Sequence, residues 1–137
     1  QIKETIMSQE KKVTPGTFGW NELVTSDAQA AIKFYNETLG WEAKAIDMPQ
    51  GMQYTIFRKD DQDVAGMIEI TSEMGPIPPH WMSYVNSQKI EKDVEKAKAA
   101  GATILHEMEI PETGKLAVIQ DPQGAVFSFW EPTGDCT

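Results

Sequence analysis

Few side chains in this chain could carry chemistry, and their spacing rules out several standard sites. Two histidines are present, His80 and His106, and the only cysteine is Cys136 in the terminal tail. No Ser–His–Asp order, Cys-x-x-Cys pair or phosphate-cradling glycine loop occurs. What remains is sparse. Glu22 stands two residues after Trp20, so in a strand both point to one face. Glu69 is a carboxylate between Ile68 and Ile70, and His80 directly follows Pro78-Pro79. A carboxylate and an imidazole brought together could form an acid–base couple without a metal. Each residue also has a plainer role open to it. His80 could cap the proline-rich junction by hydrogen bonding, and Glu22 could pair with a cation such as Arg58. His106, in a second-half strand, is expected to be exposed and unimportant.

The elements that must position these groups repeat. Residues 17–26 alternate as a strand, and residues 27–39 then carry Ala28, Ala31, Ile32, Tyr35 and Leu39 at three- and four-residue steps, an amphipathic helix flanked by Phe34. Ser26 or Asp27 is the expected N-cap and Gly40 the left-handed closure. Strands are expected over 41–48, 52–59 and 63–71, separated by Pro49-Gln50-Gly51 and Asp60-Asp61. Three prolines between Gly75 and His80 read as an extended connector. The pattern then restarts: strand 80–87, a helix from 90 to about 100 burying Ile90, Val94, Ala97 and Ala100, Gly101, and strands over 103–110, 115–120 and 125–131. The two helix-ending glycines lie about 60 residues apart. A duplicated strand–helix–three-strand unit predicts an α+β chain of two tandem βαβββ modules, about 16–73 and 79–132, within one domain over 14–134. Residues 1–13 are expected to be a polar tail, with Met7 a candidate natural start.

Bulk composition bounds the function. The chain has 137 residues, 40% hydrophobic and 24% charged, with a net charge of −9. That is ordinary for a globular chain. It lacks the basic patch that nucleic-acid binding needs and the roughly 20-residue apolar run of a membrane span. An acidic surface attracts cationic small molecules at long range and also serves solubility. One cysteine and no leader pattern fit a cytoplasmic protein.

The chain resembles the vicinal oxygen chelate superfamily, which includes glyoxalase I, extradiol dioxygenases, methylmalonyl-CoA epimerase and bleomycin-binding resistance proteins. The residues carrying the match are Asp27-x-x-x-Ala31-x-x-Phe34-Tyr35-x-x-x-Leu39-Gly40-Trp41, then His80 to Val85, Ala97-x-x-x-Gly101 and Asp121-Pro122-Gln123-Gly124. The opening Gly16-Thr17-Phe18-x-Trp20 and the Pro78-Pro79-His80-Trp81 junction are similar to a bacterial glyoxalase-like subgroup. The resemblance implies a barrel-like cleft, frequently completed in a homodimer, and a four-ligand metal site in the metal-dependent members.

Carried over by position, those four ligands fall on Trp20, Glu69, His80 and Ser128. Trp20 cannot bind a divalent ion, and Ser128 replaces a carboxylate, so half of the set is missing. No cofactor is therefore expected. A divalent metal, if held, would rest on Glu69 and His80, with Glu22 a displaced third ligand. If these positions face inward, alternation adds Val24, Met67, Met82, Tyr84 and Trp130 to the lining. Leu23, Ile68, Ile70, Phe127 and Phe129 then belong beneath the helices. The implied cleft is aromatic and thioether-rich, with Glu22, Glu69, His80 and Ser128 as its polar groups, as small-molecule sites are. Trp20 could plug the metal position or stack on a ligand. The expected function is metal-independent binding of a small aromatic or cationic compound. The alternative is a lyase- or isomerase-type enzyme using Glu69 and His80 with a weakly held metal. Standard glyoxalase I activity is not expected, since the ligands that would hold its enediolate are incomplete.

Overall fold

A computed structural model describes residues 13–47 and 53–133. The expected tail, the Met7 start, the Pro49-Gln50-Gly51 turn and Cys136 lie wholly or almost wholly outside those residues.

The described chain contains eight strands and two helices. They run β1 (Phe18–Thr25), α1 (Ala28–Leu39), β2 (Glu42–Asp47), β3 (Gln53–Lys59), β4 (Gln62–Glu69), β5 (His80–Asn86), α2 (Ile90–Ala99), β6 (Thr103–Ile110), β7 (Gly114–Gln120) and β8 (Val126–Pro132). A 3₁₀ turn, Ser72–Met74, opens the connector. The order is α+β and repeats one βαβββ unit. In each repeat the first strand pairs parallel with the last, β1 with β4 and β5 with β8. The strands between pair antiparallel.

By packing, the chain divides into two compact units, one of residues 20–83 and one of residues 13–19 with 84–133. In the first, the strand order is β2-β3-β4-β1. Helix α1 starts where Asp27 Oδ1 accepts the Ala30 N–H at 3.1 Å and stops at Gly40, whose φ of 75° suits a residue without Cβ. Its apolar stripe packs Ala31 onto Leu23, Phe57, Ala65 and Met67, with Ala28, Ile32, Tyr35, Trp41 and Val64 around them. Leu39, expected in that stripe, is 46% exposed at the last residue of the helix.

In the second unit the order is β5-β8-β7-β6. Helix α2 lays Ile90 and Val94 on Ala117 and Ile119, with Ala97, Phe127 and Phe129 packed alongside. Ala100, expected to be buried, is exposed: it caps the helix rather than continuing it. Lys89 offers no side-chain cap at the start of α2. Glu131 from β8 does so instead, its Oε1 accepting the Ile90 N–H at 2.9 Å.

The β1–β4 register corrects the expected facing. Glu22 pairs with Gly66, Leu23 with Met67, Val24 with Ile68 and Thr25 with Glu69. Side chains of directly paired residues share a face. Met67 is therefore beneath α1 with Leu23, only 1% exposed, and Ile68 lies on the opposite face with Val24. Both assignments reverse the expectation, because a one-residue offset in pairing exchanges the faces of the whole strand.

Candidate functional site

The face of the 20–83 unit that points away from α1 gathers most of the expected polar and aromatic groups. Trp81 locates that face on β5. Its indole N–H donates to the Tyr35 hydroxyl at 3.2 Å, and its ring meets Tyr35 and Trp41 edge-on. Trp81 thus lies on the helix side, and alternation turns His80 and Met82 to the other. On β1, Trp20, Glu22 and Val24 share that second face. On β4 it holds Gly66 and Ile68, and on β3, through the Ile56–Gly66 pairing, Ile56 and Tyr54.

Tyr54 is the residue that sequence reasoning missed, and it organises the face. The Trp20 Nε1–H donates to the Tyr54 hydroxyl at 2.8 Å. Glu22 pairs with Gly66, over which the same hydroxyl lies, so its carboxylate stands beside the phenol on this face. Burial comes first, then the negative charge of Glu22, in pushing the phenol well above the ordinary tyrosine range; the Trp20 hydrogen bond pulls the other way. The proton stays on Tyr54, whose hydroxyl accepts from the indole N–H and stands beside the carboxylate. Glu22 itself is only 9% exposed, and a buried carboxylate needs donors beside it.

The Trp20–Tyr54 bond exists because position 66 is glycine. A Cβ there would run into the Tyr54 hydroxyl and come within 3.0 Å of Trp20 Nε1. A glycine inside a strand often marks close approach by another group. Gly66, in mid-strand, was the available signal for Tyr54; what it could not reveal was which residue approaches.

The remaining expected site residues are distributed as follows. Met82 is buried, 8% exposed. His80 Nδ1 lies 2.8 Å from the Pro78 carbonyl, so Nδ1 carries a proton, and the ring caps the junction. Glu69 is exposed and pairs with Thr25, on the same side of the sheet as Met67. It therefore does not share a face with Trp20, Glu22 or His80, and the Glu69–His80 couple is not assembled. Arg58 does not reach Glu22 either; its Nε donates to Asp63 Oδ1 at 2.7 Å and its Nη2 to the Asp61 carbonyl. His106 is exposed.

In the other unit, Tyr84 pairs with Ser128, and Val118 does so from β7. The Tyr84 and Trp130 rings meet edge-on at 6.4 Å, on the face away from α2. Trp130 leans over Gly114, where a Cβ would come within 2.6 Å of the indole. Ser128 is fully buried, and its hydroxyl lies 3.1 Å from the Ala117 carbonyl and 3.0 Å from that of Phe129. It is committed to the backbone. An open depression of about 630 Å³ beside β6, lined by Thr103, Leu105 and His106 among others, contains none of the other expected residues.

These positions do not fit a divalent ion. Trp20 presents a hydrogen-bonded N–H, Ser128 is spent on carbonyls, and Glu69 faces away from His80. Among the described residues no three His, Cys, Asp or Glu side chains gather, and a metal needs about three protein ligands. No described helix is long and apolar enough to cross a membrane.

Solved structures share this fold. A hypothetical protein of Bacillus halodurans superposes with a TM-score of 0.61 at 15% identity, over 89% of this chain and 96% of that one. Methylmalonyl-CoA epimerase of Mycobacterium tuberculosis gives 0.57 at 12% identity, over 92% and 96%. The 2,3-dioxygenase LapB of Pseudomonas sp. KL28 gives 0.56 at 17%, over 88% of this chain and 42% of LapB. In sequence, the chain is 35% identical over 118 residues to "Putative glyoxylase CFP32" of Mycobacterium bovis, covering 85% of this chain and 44% of that protein. It is 34% identical over 117 residues to the anthracycline biosynthesis protein DauV of a Streptomyces species, covering 85% and 42%. The chain thus spans less than half the length of these relatives. The family model of the Glyoxalase/Bleomycin resistance protein/Dioxygenase superfamily matches residues 17–129, and the chain belongs to that superfamily, the vicinal oxygen chelate proteins.

Proposed function

We propose that this protein binds a small planar aromatic or cationic compound, without a metal, on the face formed by Trp20, Tyr54 and Glu22. One observation carries the reading: Trp20 stands where the superfamily resemblance implies a metal ligand, and its N–H is tied to Tyr54, whose hydroxyl lies beside Glu22. An indole and a phenol beside a carboxylate suit flat rings and cations rather than a coordinated oxyanion. The net charge of −9 adds long-range attraction for a cation. Two relatives, DauV and DnrV, are named for anthracycline biosynthesis. Anthracyclines are flat fused-ring compounds, which favours the aromatic class. His80 and Met82 extend the face in the same unit; Tyr84 and Trp130 offer a second aromatic pair in the other. The superfamily also supports a homodimer located in the cytoplasm, to be checked by sedimentation and cell fractionation.

The test is thermal denaturation against a panel of planar cations and neutral aromatics in buffer containing a chelator. A compound that binds only the native state at 100 times its Kd stabilises it by about 2.7 kcal/mol. The reading requires such stabilisation from at least one planar compound and its loss in Trp20→Ala. Stabilisation that appears only with an added divalent metal overturns it.

A further inference from the structure

Tyr54 does more than fill the space above Gly66. Three residues of two neighbouring strands meet at its hydroxyl. Trp20 donates to it from β1 at 2.8 Å. Glu22, also on β1 and nearly buried, pairs with Gly66 and so holds its carboxylate beside the hydroxyl. Gly66 on β4 leaves the room it occupies. The trio carries one negative charge, on Glu22, because the indole is neutral and the phenol keeps its proton. A phenol that keeps its proton beside a carboxylate is a donor for it, and charge-assisted bonds of this kind hold their groups in defined directions. Without the hydroxyl, the carboxylate loses that neighbouring donor and the indole N–H loses its acceptor.

We propose that Tyr54 is a positioning and specificity-determining residue, holding the Glu22 carboxylate and the Trp20 indole as one preorganised edge that selects a planar aromatic compound bearing a protonated nitrogen over a neutral compound of the same shape. This rests on the binding role inferred above for the Trp20 face. The indole surface serves both compounds equally, so shape alone gives no preference. The carboxylate distinguishes them, and only when it is held in place at binding.

The experiment uses a matched pair of probes, 9-aminoacridine, which is protonated at neutral pH, and acridine, which is not. Both are titrated calorimetrically into the wild-type protein, Tyr54→Phe and Glu22→Gln. The wild type is expected to bind the cation about tenfold or more tighter than the neutral ring, the effect of one hydrogen bond to a charged group. Tyr54→Phe keeps the ring and should hold acridine affinity within about threefold while the preference for the cation falls by about tenfold. Glu22→Gln removes the charge but keeps an acceptor, and should abolish the preference even if Tyr54→Phe folds poorly. An unchanged preference in either folded variant overturns the proposal and leaves aromatic binding standing. Failure of the wild type to bind either acridine overturns the proposal, and the binding role itself is then decided by the wider panel above.

Discussion

The indole of Trp20 and the phenol of Tyr54, 34 positions apart in the chain, meet in a 2.8 Å hydrogen bond on the sheet face away from α1. The bond joins the first strand to the third across β4, over a position where only glycine fits. Its consequences extend to stability and titration.

The first concerns alkaline pH. The folded-state pKa of Tyr54 is raised, mainly by burial and then by the charge of Glu22. An unfolded tyrosine ionises near pH 10. A raised folded pKa contributes stability that is fully present below about pH 10 and lost as pH rises toward the folded value. Of the three tyrosines, Tyr54 is expected to yield tyrosinate absorbance only together with unfolding. Tyr54→Phe should remove that late step. Complete tyrosine ionisation in a protein with native circular dichroism would contradict this.

Gly66→Ala tests the close approach. The added methyl meets the Tyr54 hydroxyl, and overpacking of this kind costs about 1–3 kcal/mol. The Trp20 hydrogen bond should be lost with it, seen as a changed near-ultraviolet circular dichroism band. A stability unchanged in urea denaturation would show that Tyr54 does not sit over this strand.

Glu131 supplies the start of α2 with the acceptor that Lys89 lacks. Glu131→Ala should destabilise the protein by about 1 kcal/mol, the usual cost of a lost helix N-cap, with a further contribution from the helix dipole. Hydrogen exchange should locate the effect at the first turn, around Ile90 and Glu91. Equal loosening of the whole chain would point to some other role for the carboxylate.

The hemithioacetal of methylglyoxal and glutathione should not be turned over. Its enediolate needs a metal with an assembled ligand set, and Trp20, Glu69 and His80 do not form one. Protein incubated with Zn²⁺ or Ni²⁺ is expected to remain inactive. Turnover at ordinary enzyme efficiency that a chelator abolishes would require a different metal site.

Much of the framework was legible because its causes are local. Asp27 caps α1 and Gly40 ends it within a span that one helix defines. The three- and four-residue apolar steps located Ala28, Ala31, Ile32 and Tyr35 on one stripe. Alternation on β8 separated Phe127 and Phe129, which pack under α2, from Ser128 and Trp130. Alternation also placed Trp20 and Glu22 on a common face. The motif residues around Phe34, Leu39 and Gly40 carried the superfamily resemblance, and the family match spans 17–129.

Alternation states which residues of one strand share a face, and nothing about which face meets which on a neighbour. That is decided by pairing between β1 and β4, more than 35 residues apart in the chain. The Glu22–Gly66 register sends Glu69 and Met67 to the helix side and brings Tyr54 over the glycine. The amino-acid sequence by itself determined the repeat, the two helices and the Asp27 and Gly40 ends of α1, since each depends on residue type and short spacing. Only the tertiary structure decided that Tyr54 bonds to Trp20 over Gly66 and beside Glu22, because strand register is a property of packing between distant segments.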